Sequence, residues 1–327
     1  MPDLTRRVVA AACAISALLV QLAVGFHSRP VAADATSPGA EDTQFFADAD
    51  EALVDAPPAL AAASCPSAAG DARLRCLLER RYSGAARELA LRLFTQHRVV
   101  AGVERAHWMD GGFRGRIRIV PAWPTRDALR HLRAVARAHD AIERTLIALR
   151  GRTTEPVRYR HRGIVYRFLR SVRRTTPSAY AVEWNIGYNV LGSLNRSDEA
   201  ILMTLVHEIF HLNDAEGFSE HELRAVHEVI GTRCGVARRC LAPYSPTATT
   251  VRGGTYYAFQ PDNGDAVVEY GAELASRYFL EQREMLARGR LAAPAFKCAT
   301  AENAQAYAKV GAAFFGGVDL TPRCEPR

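Results

Sequence analysis

Lysine is almost missing from this chain: Lys297 and Lys309 are the only two among 42 basic residues, and arginine supplies the rest of a formal charge of +7. A skew this complete reads as compositional bias rather than as a surface built for nucleic acid, and no nucleic-acid-binding motif accompanies it. No nucleic-acid partner is expected. Cys-x-x-Cys is absent as well, which argues against a structural zinc knuckle or redox motif. No internal repeat is visible. Between Val31 and Ala72 there is neither Lys nor Arg, while Asp34, Glu41, Asp42, Asp48, Asp50, Glu51, Asp55 and Asp71 accumulate among Ala and Pro.

What remains is a chain of 327 residues, 48% hydrophobic, long enough to bury a sizeable core. Arg6 and Arg7 precede the uncharged apolar run VVAAACAISALLVQLAVGF over 8–26, the layout of an export signal. Cleavage after Ala35 and cleavage after Gly25 both fit small-residue patterns. An uncleaved run approaches the ~20 residues a membrane helix needs and would act as an anchor. Residues 1–35 are therefore read as signal peptide or membrane anchor, and the chain as secreted, periplasmic or membrane-tethered. Outside that segment six cysteines fall along the chain as three close pairs, favouring bridges 65–76, 234–240 and 298–324.

The acidic stretch 36–72 has few large apolar groups and reads as a linker, or as a pro-segment lying on the basic remainder. Helical spacing is predicted over 72–97 and 125–151, and the alternation in RGRIRIVPAW predicts a strand between them. The segment 157–174 concentrates arginine. It reads as a solvated basic strand and helix face, or as a contact for an anionic envelope surface. SAYAVEWNIGYNVLGSLN, over 178–195, predicts one or two strands feeding a turn.

Beyond that turn, Asn195 or Ser197 can cap a helix whose first turn carries Asp198 and Glu199, and Gly217 offers its stop. On this helix His207 and His211 stand four apart and share a face, so both imidazoles can meet one ion. Glu208 is rotated away from the pair and can reach a water held by that ion. Chance supplies only about 0.02 occurrences of His-Glu-x-x-His in a chain of this composition, so the pattern is read as a zinc site. The plainer alternative is a pair of partly buried structural histidines.

Catalytic zinc takes three protein ligands and one open position. A third histidine brought back by a glycine turn is absent, because position 214 is Asp and position 217 is Gly, which argues against the metzincin layout. The helix predicted over 265–284 offers Glu269 and Glu273 on one face, one able to bind metal and the other to hydrogen-bond a ligating imidazole. Asp214 could reach the same face as His211 and is expected to support the site without binding the ion. His221 and His227 are expected to be solvated helix residues, with His227 also able to donate to a transition state.

His-Glu-x-x-His followed by Glu-Tyr-Gly-Ala-Glu-Leu-Ala resembles the gluzincin metallopeptidases, and the second motif is similar to the zinc-binding Glu helix of the anthrax lethal factor type. The likeness covers about a quarter of the chain. It implies that Glu269 is the third zinc ligand, that Glu273 supports it, and that Glu208 is the general base. It also implies a carbonyl-polarising tyrosine before the Glu helix, for which Tyr256 and Tyr257 are the candidates. The expected fold is a single α+β, zincin-like domain over 73–327, mostly helical with a small sheet next to the active-site helix. The expected activity is zinc-dependent hydrolysis of a protein or peptide substrate. A non-catalytic envelope-binding protein and a zinc amidase acting on a non-protein amide are the alternatives.

Overall fold

A computed structural model describes residues 38–54, 65, 69–111, 115–251, 254–261 and 265–325. The apolar run that carries the signal-or-anchor reading lies outside them. Among the described residues no helix is long and apolar enough to cross a membrane.

The architecture is α+β. Helices α1 (Pro38–Val54), α2 (Gly70–Arg81) and α3 (Gly84–His97) lead into β1 (Val99–Val103), the hairpin strands β2 (His107–Asp110) and β3 (Arg116–Pro121), and the long helix α4 (Leu129–Arg150). Next come β4 (Ile164–Ser171), β5 (Ala179–Val182) and β6 (Asn185–Asn189), then α5 (Asp198–Asn213). A π-helical turn at Ser219–Leu223 opens α6 (Arg224–Cys234), followed by α7 (Arg238–Leu241), α8 (Ala266–Arg288) and α9 (Ala301–Phe314).

The sheet runs β2-β3-β4-β6-β5, with β1 also beside β4. β4 is its centre, parallel to β1 and β6 and antiparallel to β3. The solvated reading of 157–174 holds for Arg158, Arg162, Arg170, Arg173 and Arg174, which are exposed, but not for the strand itself. Ile164, Val165, Tyr166, Phe168 and Leu169 are all buried, the near-continuous apolar run expected of a strand covered on both faces. β5 and β6 form a hairpin whose two turn residues, Glu183 and Trp184, both hold positive φ, +48° and +61°. That is the geometry that matches the right-handed twist of the flanking strands.

Two further expectations change. The helical stretch 72–97 is broken, because Tyr82 and Ser83 are extended and the Tyr82 hydroxyl donates to the Ala101 carbonyl of β1 at 2.7 Å. A buried hydroxyl needs that partner, and helical continuation would withdraw it. The acidic linker is also no linker over 38–54. There α1 buries Phe45, Ala49, Ala52 and Leu53 against β1 and β4, so closely that a Cβ on Gly102 would lie 2.5 Å from the Ala52 Cβ. Its acids meet the basic sheet: Glu51 pairs with Arg167, and Asp48 accepts from Asn185 at 3.0 Å. The core domain thus begins ahead of residue 73.

Disulfides join Cys65 to Cys76, Cys234 to Cys240 and Cys298 to Cys324, the pairing expected from their order. α4 joins the sheet through buried hydrogen bonds, His131 to the Tyr188 hydroxyl at 3.0 Å and His139 to the Tyr166 hydroxyl at 2.8 Å. On its other flank α4 packs against α5, which in turn packs against β5 and α8.

Candidate metal centre

Helix α5 starts where its sequence says it should. The Ser197 hydroxyl accepts from the Ala200 amide at 3.2 Å, satisfying one orphan donor, and Asp198 and Glu199 occupy the positive end of the helix. The same two acids fix that end to its neighbours, Asp198 to Arg137 of α4 and Glu199 to Arg283 of α8. Asn195 is not the cap. It is buried, and its amide donates to the Ser178 and Asn189 carbonyls, pinning the turn after β6. At the far end Asp214 accepts from the Ser219 amide at 2.9 Å, which turns the chain toward α6.

Helix α8 is capped by Asp265, whose carboxylate accepts from the Val267 amide at 3.1 Å, and Glu269 sits in its first turn. Gly271 permits the α5–α8 approach: a Cβ there would lie 2.1 Å from the Ser219 hydroxyl and 3.1 Å from the Phe210 ring. With the helices this close, Glu269 arrives over His207, 62 residues before it in sequence, and over His211.

The donor atoms form a small triangle. His207 Nε2 lies 3.1 Å from Glu269 Oε2 and 3.1 Å from His211 Nε2, and His211 Nε2 lies 3.5 Å from Glu269 Oε2. A tetrahedral ion with ligand distances of about 2.0–2.1 Å needs its donors about 3.3–3.4 Å apart, so the triangle has the dimensions of one tetrahedral face. A structural His207–Glu269 ion pair would account for one edge but not for His211 closing on both. The three side chains keep 18%, 19% and 17% of their surface accessible. Among the described residues it is the one cluster of three or more His, Cys, Asp or Glu groups so arranged.

His207 and Glu269 stabilise each other's charge. Burial opposes charge on the His207 imidazole, but the Glu269 hydrogen bond and the surrounding carboxylates push it up to about 9. Burial likewise opposes charge on Glu269, yet its contacts with the two histidines hold it far below the usual carboxylate range.

Glu208 is 8% exposed and has no hydrogen-bond partner among the described residues. Burial raises its carboxyl, with Glu269 adding to the effect and the two histidines opposing it. The structure therefore presents beside the triangle a carboxylate already inclined to take a proton.

Other expected residues are placed differently. Glu273 does not hydrogen-bond an imidazole: its Oε1 accepts from the Thr247 hydroxyl at 2.7 Å, and its buried Oε2 has no partner among the described residues. Burial pushes this carboxyl up to about 7 against the opposing Thr247 hydrogen bond. Asp214 is spent on Ser219 and stands outside the triangle. The two tyrosines separate, with the Tyr257 ring centred 6.3 Å from the His207 ring and Tyr256 lying instead beneath the Arg238 guanidinium. His221 is exposed as expected. His227 is not solvated: its ring stacks on Phe259, 5.0 Å between centroids, and its Nε2 donates to the Ala258 carbonyl at 2.9 Å. It thereby anchors the turn Tyr257–Phe259 from which Tyr257 projects.

Thr247 and Thr249 escaped sequence reading altogether. Thr247 links Glu273 to Thr249, and the Thr249 carbonyl accepts from the Tyr257 amide at 3.0 Å, so α8 holds the Tyr257 segment from its other side. A threonine-rich loop has no periodicity to mark it, and the contact spans 26 residues. Comparison with protein-family models, with curated proteins and with solved structures finds no match to this chain.

Proposed function

We propose that this protein is an exported zinc-dependent metallopeptidase of gluzincin type, with a zincin-like fold, in which His207, His211 and Glu269 hold the ion. The observation that carries the reading is the donor triangle, one carboxylate and two imidazoles set at tetrahedral spacing. Two nitrogens and a carboxylate oxygen suit zinc better than calcium or magnesium, which prefer oxygen-only shells. When bound, zinc lowers the pKa of a water toward about 7 and polarises a carbonyl.

The chain's own groups supply the remainder. Glu208, buried and without a hydrogen bond, takes the proton of the attacking water and returns it to the departing nitrogen. Tyr257, rather than Tyr256, is the hydroxyl within reach of the scissile carbonyl, because its ring stands beside His207. An extended peptide can pair with β5, an outermost strand of the sheet that packs against α5. Three disulfides and the N-terminal apolar run support export to an oxidising compartment.

The test is a peptide and protein substrate library incubated with the full chain, with and without a chelator, with zinc content measured alongside. Cleavage that the chelator abolishes and stoichiometric zinc restores is the expected result. Stoichiometric zinc with no cleavage of any amide substrate would remove the enzymatic reading and leave a metal-stabilised binding protein.

A further inference from the structure

A cavity of about 490 Å³ lies between the C-terminal half of α4 and the loop entering β4, lined by Glu143, Arg150, Arg158, Arg160, His161 and Arg162. None of the residues at the metal centre lines it. Four arginines and one carboxylate line it, and that carboxylate is already engaged, since Glu143 accepts from both His161 and Arg162. Arg150 and Arg158 are exposed, and their side chains have no ion pair or hydrogen bond among the described residues. The Arg160 guanidinium lies over the Trp184 ring, 3.7 Å from its centroid, and donates to the Arg162 carbonyl at 3.1 Å.

The loop that carries these arginines is held at every step. The Arg158 and Tyr159 amides both donate to the Phe314 carbonyl at 3.0 Å, and the Tyr159 hydroxyl donates to the Val206 carbonyl at 2.7 Å. Asn213, the last residue of α5, accepts from the Arg160 amide and donates to its carbonyl, each at 2.8 Å. Like charges gathered on a fixed backbone repel one another until a counter-charge enters, so little ordering entropy remains to be lost when one does. The planar fork of a guanidinium matches the oxygens of phosphate, and a tetrahedral dianion offers enough acceptors for several forks at once.

We propose that this cavity is a binding site for a phosphate group, independent of the metal centre. The phosphate can belong to a soluble ester or to a phospholipid headgroup, two sources that share the chemistry the arginines recognise.

The experiment titrates the full chain with pyrophosphate at low and high salt, comparing it with R150A/R158A and with R290A/R323A. The second variant removes the same charge from exposed arginines outside the cavity. Saturable one-to-one binding is expected, weakened about tenfold or more in R150A/R158A and unchanged in R290A/R323A. Thermal melts check that both variants keep the wild-type fold. In parallel, the same proteins are sedimented with phosphatidylglycerol vesicles. Pelleting lost in R150A/R158A and competed by pyrophosphate assigns the site to a headgroup, whereas pyrophosphate binding without pelleting assigns it to a soluble ester. The proposal is overturned if neither probe binds saturably, if R150A/R158A binds like wild type, or if both double variants lose binding equally.

Discussion

Glu208 and Glu269 stand near the same two histidines with opposite tendencies. Glu269 is held ionised by two imidazoles, while Glu208 is desolvated with no donor to compensate it. Replacing Glu208 by Gln keeps its shape and removes its basicity, so the variant is expected to retain about one zinc per chain and lose hydrolysis by several orders of magnitude. Metal analysis beside a peptide assay checks this, and retained activity would take the proton-transfer role away from Glu208. Glu269→Ala is expected to release zinc far more readily than Glu273→Ala, because only Glu269 points an oxygen into the triangle. Chelator-driven zinc release measures the order, and the reverse order would exchange their roles. Tyr257→Phe is expected to lower kcat by about tenfold or more with Tyr256→Phe near wild type, since the rings lie beside His207 and Arg238 respectively. Equal effects of the two changes would mean that ring position is not what selects the donor.

The elements explain how much of the centre was legible. His207, Glu208 and His211 lie within one helical turn, so their relation is fixed by 3.6-residue periodicity and needed no tertiary information. The Ser197 cap and the Asp198–Glu199 first turn were legible for the same local reason. Helical periodicity offered Glu269 and Glu273 on one face and the resemblance singled out Glu269, but its arrival over the histidines depends on how closely α8 lies against α5. Gly271 sets that distance, and Gly271→Ala forces a methyl group to 2.1 Å from the buried Ser219 hydroxyl. The substitution is expected to cost about 1–3 kcal/mol of stability and to weaken zinc binding by shifting Glu269, with Ser219→Ala on the same background recovering part of both. Denaturant unfolding and zinc titration read the two effects. Unchanged zinc affinity in a destabilised Gly271→Ala protein would separate packing from the metal centre. The break between α2 and α3 and the burial of β4 were beyond local pattern, since Tyr82 leaves the helix for a carbonyl 19 residues away and β4 is central only because three strands pair with it.

For the molecule as a whole, three disulfides close loops of 11, 6 and 26 residues. In the chain-entropy account the largest loop contributes about 3.5 kcal/mol and the smallest about 2 kcal/mol. Changing Cys298 and Cys324 to Ser is therefore expected to lower the melting temperature more than changing Cys234 and Cys240, a ranking that calorimetry tests directly. The acidic helix α1 belongs to this scale too. Its composition looked like a tether because seventeen residues with few large apolar groups cannot make a core by themselves, yet Phe45, Ala49, Ala52 and Leu53 suffice once β1 and β4 supply the other half. By itself the sequence determined what periodicity, capping and order along the chain dictate: the helix bearing two imidazoles and a carboxylate on known faces, its start, and the pairing of six cysteines. Only the tertiary structure decided which carboxylate completes the triangle, which tyrosine stands beside it, and which of many arginines share a cavity. Those outcomes depend on distances between segments tens of residues apart, set by packing at a few glycines and buried hydroxyls whose partners no local pattern encodes.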